Sequence, residues 1–462
     1  MQYYLAVDIG ASSGRHILGH VQNGIMLLEE MYRFENNLIE KNGHICWDLQ
    51  TLFHHVKEGL KACKACGKIP TTMGIDTWAV DFVLLDAKDK LIGDSVAYRD
   101  KRTQGFENVY PFAQLYAKTG IQHQVFNTIY QLLAVKKESP QLLEQAESFL
   151  MIPDYLNFLL TGVKKQEYTN ATSTALVNAE QKIWDKELLD ELALPQKLFG
   201  DLSVPGIKVG NFSAEVQAEA GFDCTVILPA THDTGSAFLA VPAKDENAVY
   251  ISSGTWSLLG VENKMPITTP ESAASNFTNE GGYAYRYRYL KNIMGLWMIQ
   301  SIRRNLDKKY SFGELEQMAK ECADFASVVD VNDASFMTPE NMIEAVAQYC
   351  KDTQQAVPQS VGETVQCVYQ SLARSYAQAI AALQQLTQKQ YTSIHIVGGG
   401  SKDGYLNALT AKASHLPVYA GPIEGTALGN LMAQFIAAGE FEDLQAARAA
   451  ITKSFSIKEI LP

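Results

Sequence analysis

Two α/β domains with mixed sheets flanked by helices, facing one another across a cleft, are what this sequence predicts, and three observations predict them. The chain has 462 residues, more than one hydrophobic core usually serves. Strand-like and helix-like stretches alternate along most of its length. A strand, a turn of small polar residues and a second strand open the chain at residues 3–21, and the same theme returns at 248–261.

The elements follow in order. Residues 3–8 are β-prone and run into the turn at 10–14. A strand-like run at 16–21, an Asn-Gly pair at 23–24 and a third run from Ile25 complete an antiparallel meander. A helical pattern spans 49–66 and a buried strand 72–76. A hairpin is expected to leave at 80–85 and return at 96–99. Residues 104–195 read as mostly helical with polar connectors. A strand at 225–228 then leads through 229–233 into an apolar helix ending near Val241. The polar stretch 242–248 marks the boundary, giving domains 1–242 and 243–462. Beyond the second strand–turn–strand unit come long helices at about 295–385, a strand at 393–397, three glycines at 398–400 and two closing helices.

A composition of 47% hydrophobic and 19% charged residues belongs to a globular protein with a substantial core. The formal charge of −12 argues against nucleic acid or an anionic membrane surface as a partner. The first residues lack a basic segment followed by a long apolar one, so no leader peptide and a cytoplasmic location are expected. The seven cysteines are expected as thiols. Cys63 and Cys66 form a C-x-x-C, but without a second pair or a suitably spaced histidine they read as surface thiols rather than a zinc site.

No G-x-x-x-x-G-K-[ST] occurs and no strand leads through G-x-G-x-x-G into a helix, which argues against a P-loop and a Rossmann site; the Gly/Ser turns at 10–14 and 252–255 are followed by strands. Each turn reads either as a plain hairpin connection or as a concavity of backbone N–H groups for phosphate; two such turns, one opening each half, favour a paired phosphate clamp. Asp8 ends the first strand beside its turn, placed to hold Mg²⁺ or to bond the turn backbone. Arg15 is placed either to neutralise phosphate or to lie on the strand surface. Asp233, between a buried strand and an apolar helix, reads as a helix cap or as a proton acceptor for phosphoryl transfer. Its flanking His232 and Thr234, and the lack of another acidic residue so placed beside a Gly/Ser turn, favour the second reading. The glycines at 398–400 allow close approach of a flat ligand such as adenosine.

Eight segments carry a resemblance: DIGASSGR at 8–15, GIDTWAVDFVLLD at 74–86, AYRDKRT at 97–103, EYTNAT at 167–172, SSGTWS at 252–257, NEGG at 279–282, KNIMGLW at 291–297 and HIVGGG at 395–400. Together, in this order and across nearly the whole chain, they resemble the FGGY carbohydrate kinases of the actin, hexokinase and heat-shock ATPase superfamily. The resemblance implies two ribonuclease-H-like, actin-like ATPase domains with the active site in the cleft between them, the sugar side and catalytic base on the first and the nucleotide side on the second. It implies ATP and Mg²⁺ as cofactors, with the metal at Asp8. Ala11, Ser12, Ser13, Gly14, Arg15 and Thr255 would contact the ATP phosphates, with Gln300 and Gly399 nearer the nucleotide. Ala79, His232, Thr234 and Asn292 would line the sugar site together with Thr77, Trp78 and Asp81, and Asp233 would accept the proton. Within the family the segments are most similar to members acting on L-rhamnulose at its carbon-1 hydroxyl, so the implied partners are L-rhamnulose and ATP, in a monomer or homodimer. Rival readings are a family member for L-fuculose, xylulose or glycerol, and a non-catalytic ATP-binding protein of the same fold. Ala79 stands where many relatives have glycine, and Lys402 and Asp403 where they often have neutral amides.

Overall fold

The computed structural model describes residues 1–462, which form two compact units: residues 1–240, 262–289 and 426–454 in the first, and 241–261, 290–425 and 455–462 in the second. No helix is long and apolar enough to cross a membrane.

The first unit is organised by a six-stranded mixed sheet. Strands Tyr3–Ile9, Ser13–Gln22 and Ile25–Glu35 form the expected antiparallel meander. Helix Leu49–Ala65 starts where the Asp48 carboxylate accepts the Thr51 N–H at 3.1 Å, a side-chain cap for an otherwise unpaired donor. It buries Leu52, Val56 and Leu60 against the sheet, and the chain then returns in strand Pro70–Thr77, parallel to Tyr3–Ile9. Strand Thr225–Ile227 lies beside it, also parallel. This register sets Asp8 opposite both Arg15 and Asp76. The strand ends that carry the candidate site are thus fixed by a core of Leu5, Val7, Ile75 and Val226.

Three expectations need correction. Cys63, read with Cys66 as a surface thiol, lies buried in the core on the inner face of its helix, and of the pair only Cys66 is exposed. The hairpin from strand Phe82–Leu85 returns at Leu91–Ile92 and not at 96–99. The Asp86 side chain accepts the N–H groups of Lys88 and Lys90, at 2.8 and 2.9 Å, and closes the turn early. Val96 makes only an isolated bridge to Cys46. Beyond residue 400 there are three helices, Gly404–Ser414, Gly425–Ala437 and Leu444–Ser454, together with strands Val418–Ala420 and Lys458–Ile460. Pro417, Gly421 and Pro422 are poor helix formers and let a strand in between the first two helices.

In the second unit strand Ala248–Ser253 pairs antiparallel with Trp256–Asn263 and parallel with Ser393–Val397. The latter pairs with Val418–Ala420, which pairs with Lys458–Ile460. The long helix Val361–Thr387 begins with a reciprocal cap between Ser360 and Glu363, and buries Val365, Val368, Leu372 and Ile380.

Candidate active site

Asp233 is the first residue of helix Asp233–Leu239, and His232 takes the cap position without a side-chain cap bond. The aspartate thus stands inside the first turn and not at the cap position. Its Oδ1 accepts the Thr234 N–H at 2.5 Å and the Thr234 hydroxyl at 3.1 Å, and its side chain stays 32% exposed while its neighbours are buried. Burial pushes its carboxyl up from the ordinary carboxylate range, the nearby charge of Asp8 adds to this, and His232 opposes it.

The strand register brings Asp8 and Asp76 to the same place. Arg15 donates Nε and Nη2 to Asp8 Oδ2 at 3.0 and 2.8 Å. Asp76 is fully buried; one oxygen accepts Asn430 Nδ2 at 2.6 Å and the other has no hydrogen-bond partner. Burial first, then the charge of Asp8, pushes the Asp76 carboxyl well up, with Asp233 adding to the same effect. Asp8 and Asp76 are register partners on adjacent strands, and the orphaned Asp76 oxygen is an acceptor that one hard cation with its own waters could satisfy. No group of three or more His, Cys, Asp or Glu side chains is arranged to hold a metal ion.

The segment 77–81 is held rigidly. The Asp81 carboxylate is buried and accepts Trp47 Nε1 at 2.6 Å, Trp78 Nε1 at 3.0 Å, Gln131 Nε2 at 2.9 Å and the Tyr98 N–H at 3.1 Å. Burial pushes it up to about 6 in spite of those four donors. Val80 between them has φ of +68°, a left-handed conformation that a β-branched side chain resists. Its carbonyl accepts the Thr128 hydroxyl at 2.6 Å and Gln131 Nε2 at 3.2 Å, and these bonds hold the strain in place. Thr77 is buried, its N–H bonding the Thr231 carbonyl at 2.9 Å, so the 77–81 and 231–234 segments are tied directly. Ala79 is half-buried, its carbonyl accepting the Asp81 N–H at 2.9 Å.

Beneath both lies Glu167, fully buried. It accepts the Thr169 and Thr231 hydroxyls at 2.6 Å each and the N–H groups of Thr169, Asn170 and Thr231 at 2.8, 3.1 and 3.2 Å. Five donors on one carboxylate make it a structural anchor for the residues preceding Asp233.

In the turn at 10–13 the Gly10 N–H bonds the Ser13 carbonyl at 2.9 Å, while Ala11 is half-exposed and Ser12 and Ser13 are exposed. Gly14 is buried against Phe34: a β-carbon there would lie 2.1 Å from the ring. First-unit candidates are therefore gathered: Asp8, 11–15, the 77–81 segment and 232–234. The remaining candidates belong to the second unit and collect about its own turn. Thr255 is exposed at the tip, and its carbonyl accepts the N–H groups of Gly295 and Trp297 at 3.2 and 3.1 Å. Gln300 follows one turn into helix Trp297–Asn305, and Asn292 Oδ1 is buried without a partner. Of the three glycines, Gly400 gives up its side chain to Ser253, whose Oγ would lie 2.0 Å from an added β-carbon, and Gly398 lies against the Ser253 carbonyl. Only Gly399 has open space beside it.

Among the carboxylates, sequence reasoning singled out Asp233 as proton acceptor and Asp8 as metal ligand. It did not single out Asp76, Glu167 or Gln131, whose side chains bond within or beneath the candidate segments, nor Glu280, Arg288 and Asn36, which contact His232 and the first turn. Asp76, Glu167 and Glu280 stood inside the segments quoted for the resemblance; nothing local marked the others.

Comparison with known proteins agrees with this architecture. A model of the N-terminal domain of the FGGY family of carbohydrate kinases matches residues 3–240, and one of its C-terminal domain matches 249–438. A rhamnulokinase of Halalkalibacterium halodurans is 53% identical over 462 residues, covering 99% of this chain and 98% of the relative. One of Oceanobacillus iheyensis is 52% identical, covering 99% and 97%, and one of Bacillus subtilis 43%, covering 99% and 95%. Among solved structures, a gluconate kinase and a ligand-bound xylulose kinase, both from Lactobacillus acidophilus, superpose with TM-scores of 0.82 at 20% identity, each covering 100% of this chain and 94% of theirs. A Plasmodium falciparum glycerol kinase with ADP gives 0.77 at 15%, covering 99% and 94%.

Proposed function

Because the chain belongs to the FGGY family of carbohydrate kinases, with the actin-like ATPase fold, we propose that it transfers the γ-phosphoryl group of ATP to the carbon-1 hydroxyl of L-rhamnulose, giving L-rhamnulose 1-phosphate in L-rhamnose catabolism. The observation that carries the substrate is the run of rhamnulokinases 40–53% identical to almost the whole chain. Phosphoryl transfer asks a protein for alignment, charge neutralisation and one proton acceptor. The partly exposed Asp233 supports the last of these. In this reading its carboxylate orients the sugar hydroxyl and takes its proton as the phosphoryl group moves away. His232, Thr234, Thr77, Trp78, Ala79 and Asp81 shape the sugar side within residues 1–242, and Asn292 contributes to it. Ala11, Ser12, Ser13, Gly14 and Arg15 meet the phosphates, and Thr255, Gln300 and Gly399 serve the nucleotide from residues 243–462. Asp8 holds Mg²⁺, with Asp76 as its neighbour; the ion, when bound, offsets charge on the phosphates. The same reading puts the protein in the cytoplasm, where ATP is supplied, and its seven free thiols suit that compartment.

The test is a panel of L-rhamnulose, L-fuculose, D-xylulose and glycerol with ATP and Mg²⁺, read by coupled ADP formation. L-Rhamnulose is expected to give the highest kcat/KM; a higher value for another sugar sinks the substrate assignment. Asp233→Asn is expected to fold, bind ATP and lose about 10²–10⁴-fold in kcat, and near-normal turnover in that variant removes Asp233 from its role.

A further inference from the structure

Two charged side chains lie behind Asp233 with no part in the reaction as derived so far. Arg288, on strand Tyr287–Met294, is fully buried, and Glu280, on strand Thr278–Gly281, is 6% exposed. Arg288 Nε donates to the Gly281 carbonyl at 2.9 Å, Nη1 lies 3.0 Å from Glu280 Oε2, and Nη2 lies 3.0 Å from His232 Nδ1. The other ring nitrogen, His232 Nε2, lies 3.4 Å from Asp233 Oδ1. A guanidinium and a carboxylate this deep are costly to bury unless they pair and serve a purpose.

The chemistry of the donors decides which nitrogen of the ring carries its proton. A guanidinium has only donors and keeps its charge, so Nδ1 facing Nη2 has to be the acceptor. Neutral imidazole has one donor and one acceptor; the proton then sits on Nε2, the nitrogen turned to Asp233. Glu280 Oε2 is 3.2 Å from the same Nδ1 and would favour the opposite arrangement. Glu280 Oε2, however, is nearer to Arg288 Nη1, at 3.0 Å, than to Nδ1, while Nη2 lies 3.0 Å from Nδ1. Arg288 prevails, and Glu280 serves as its counter-charge.

We propose that Arg288, balanced by Glu280, is a positioning residue that holds His232 in its Nε2–H form, so that the ring donates toward the Asp233 carboxylate and the sugar oxygen and cannot compete for the proton. Nδ1 is taken up by the guanidinium, and the Asp233 carboxylate lies 3.4 Å from the other nitrogen. The other charged or titratable groups facing Asp233 and this pair are Asp8, Asp76, Tyr98 and Glu167, and none of them faces Nδ1 at hydrogen-bond distance. The inference rests on the kinase reading and deepens it.

Long-range ¹H–¹⁵N correlation on protein labelled with ¹⁵N-histidine reports the tautomer directly, with the His232 signals assigned by their loss in His232→Asn. The Nε2–H pattern is expected in the unaltered protein between pH 7 and pH 8. The Nδ1–H pattern or an imidazolium there overturns the proposal, whatever any variant does. In the double variant Arg288→Met/Glu280→Gln, which removes both charges together, the pattern is expected to shift toward Nδ1–H. Its kcat should fall about 10- to 100-fold with a much smaller change in KM for L-rhamnulose, the scale seen when a partner orienting a site ligand is lost. An unchanged kcat also overturns it. Should that variant fail to fold, Arg288→Lys keeps the charge but not the planar fork, and the same split in kcat and KM is expected. Absence of sugar phosphorylation by the unaltered protein would be a failure of the kinase reading; active protein with Nδ1–H would be a failure of this inference alone.

Discussion

The two Gly/Ser turns face the same physical problem and hold their backbones in different ways. Across a trans peptide the carbonyl and the following N–H point in opposite directions. A turn that is to offer N–H groups to phosphate must therefore have its carbonyls drawn back. In the first turn a single residue does this: Asn36 Nδ2 donates to the Gly10 carbonyl at 2.9 Å and the Asn36 N–H to the Ser12 carbonyl at 3.0 Å. Both carbonyls of the turn that flank Ala11 and Ser13 are thereby occupied from the Asn36 side. In the second turn the backbone of 295–297 does the work, with the Leu296 N–H on the Gly254 carbonyl at 3.0 Å and those of Gly295 and Trp297 on that of Thr255. One turn depends on a removable side chain and the other on main chain packed close.

That contrast implies unequal sensitivity, and the largest effect belongs to the second turn. A β-carbon at Gly295 would lie 2.7 Å from the Trp256 carbonyl carbon and 2.8 Å from the Thr255 oxygen, so Gly295→Ala has to push the two segments apart. Overpacking of this kind costs about 1–3 kcal/mol, which at 1.4 kcal/mol per tenfold corresponds to a fall of up to about 10²-fold in kcat/KM for ATP. Steady-state kinetics with varied ATP measure it. Unchanged kinetics would mean that the second turn is not held by its close main-chain contact.

A smaller effect is expected at Asn36. Removing a buried hydrogen bond costs about 1 kcal/mol, so Asn36→Ala should raise KM for ATP about fivefold. Asn36→Asp should be worse than Ala, because a carboxylate cannot donate to the Gly10 carbonyl and adds negative charge beside the turn proposed to meet the phosphates. If Asp proves milder than Ala, the side-chain donor is not what opens the first turn.

The same contrast shows what could be read from the sequence. Both turns were visible because small residues between two strand-like runs are a local signal, and so was Asp233 at the junction of strand and helix. The braces were not. Asn36 acts 26 residues from Gly10, and Arg288 acts 56 residues from His232, so neither carries a mark in its own neighbourhood. The hairpin after Leu85 was placed too late because the Asp86 carboxylate closes its turn on the N–H groups of Lys88 and Lys90, a contact no periodicity reveals. The glycines at 398–400 were read as room for a ligand, yet two of the three are occupied by Ser253. Glycine marks close approach; whether a ligand or the protein itself approaches is decided by chain segments far away in sequence.

The smallest expected effect tests whether the turns are only binding devices. Burial holds the Asp233 carboxyl above its ordinary range, Asp8 adding to it and His232 opposing. A base must be ionised to accept a proton, so kcat/KM for L-rhamnulose should fall as pH drops through that raised value, and the fall should begin at a higher pH than an ordinary aspartate would give. Neither turn adds a charge next to Asp233 or removes one. In Asn36→Ala and Gly295→Ala the acid limb of the pH profile should therefore keep its midpoint to within about 0.2 pH units, even where the rate itself is greatly reduced. A shifted midpoint in either variant would mean that the turn reaches the base electrostatically, and holding phosphate would no longer describe all that it does.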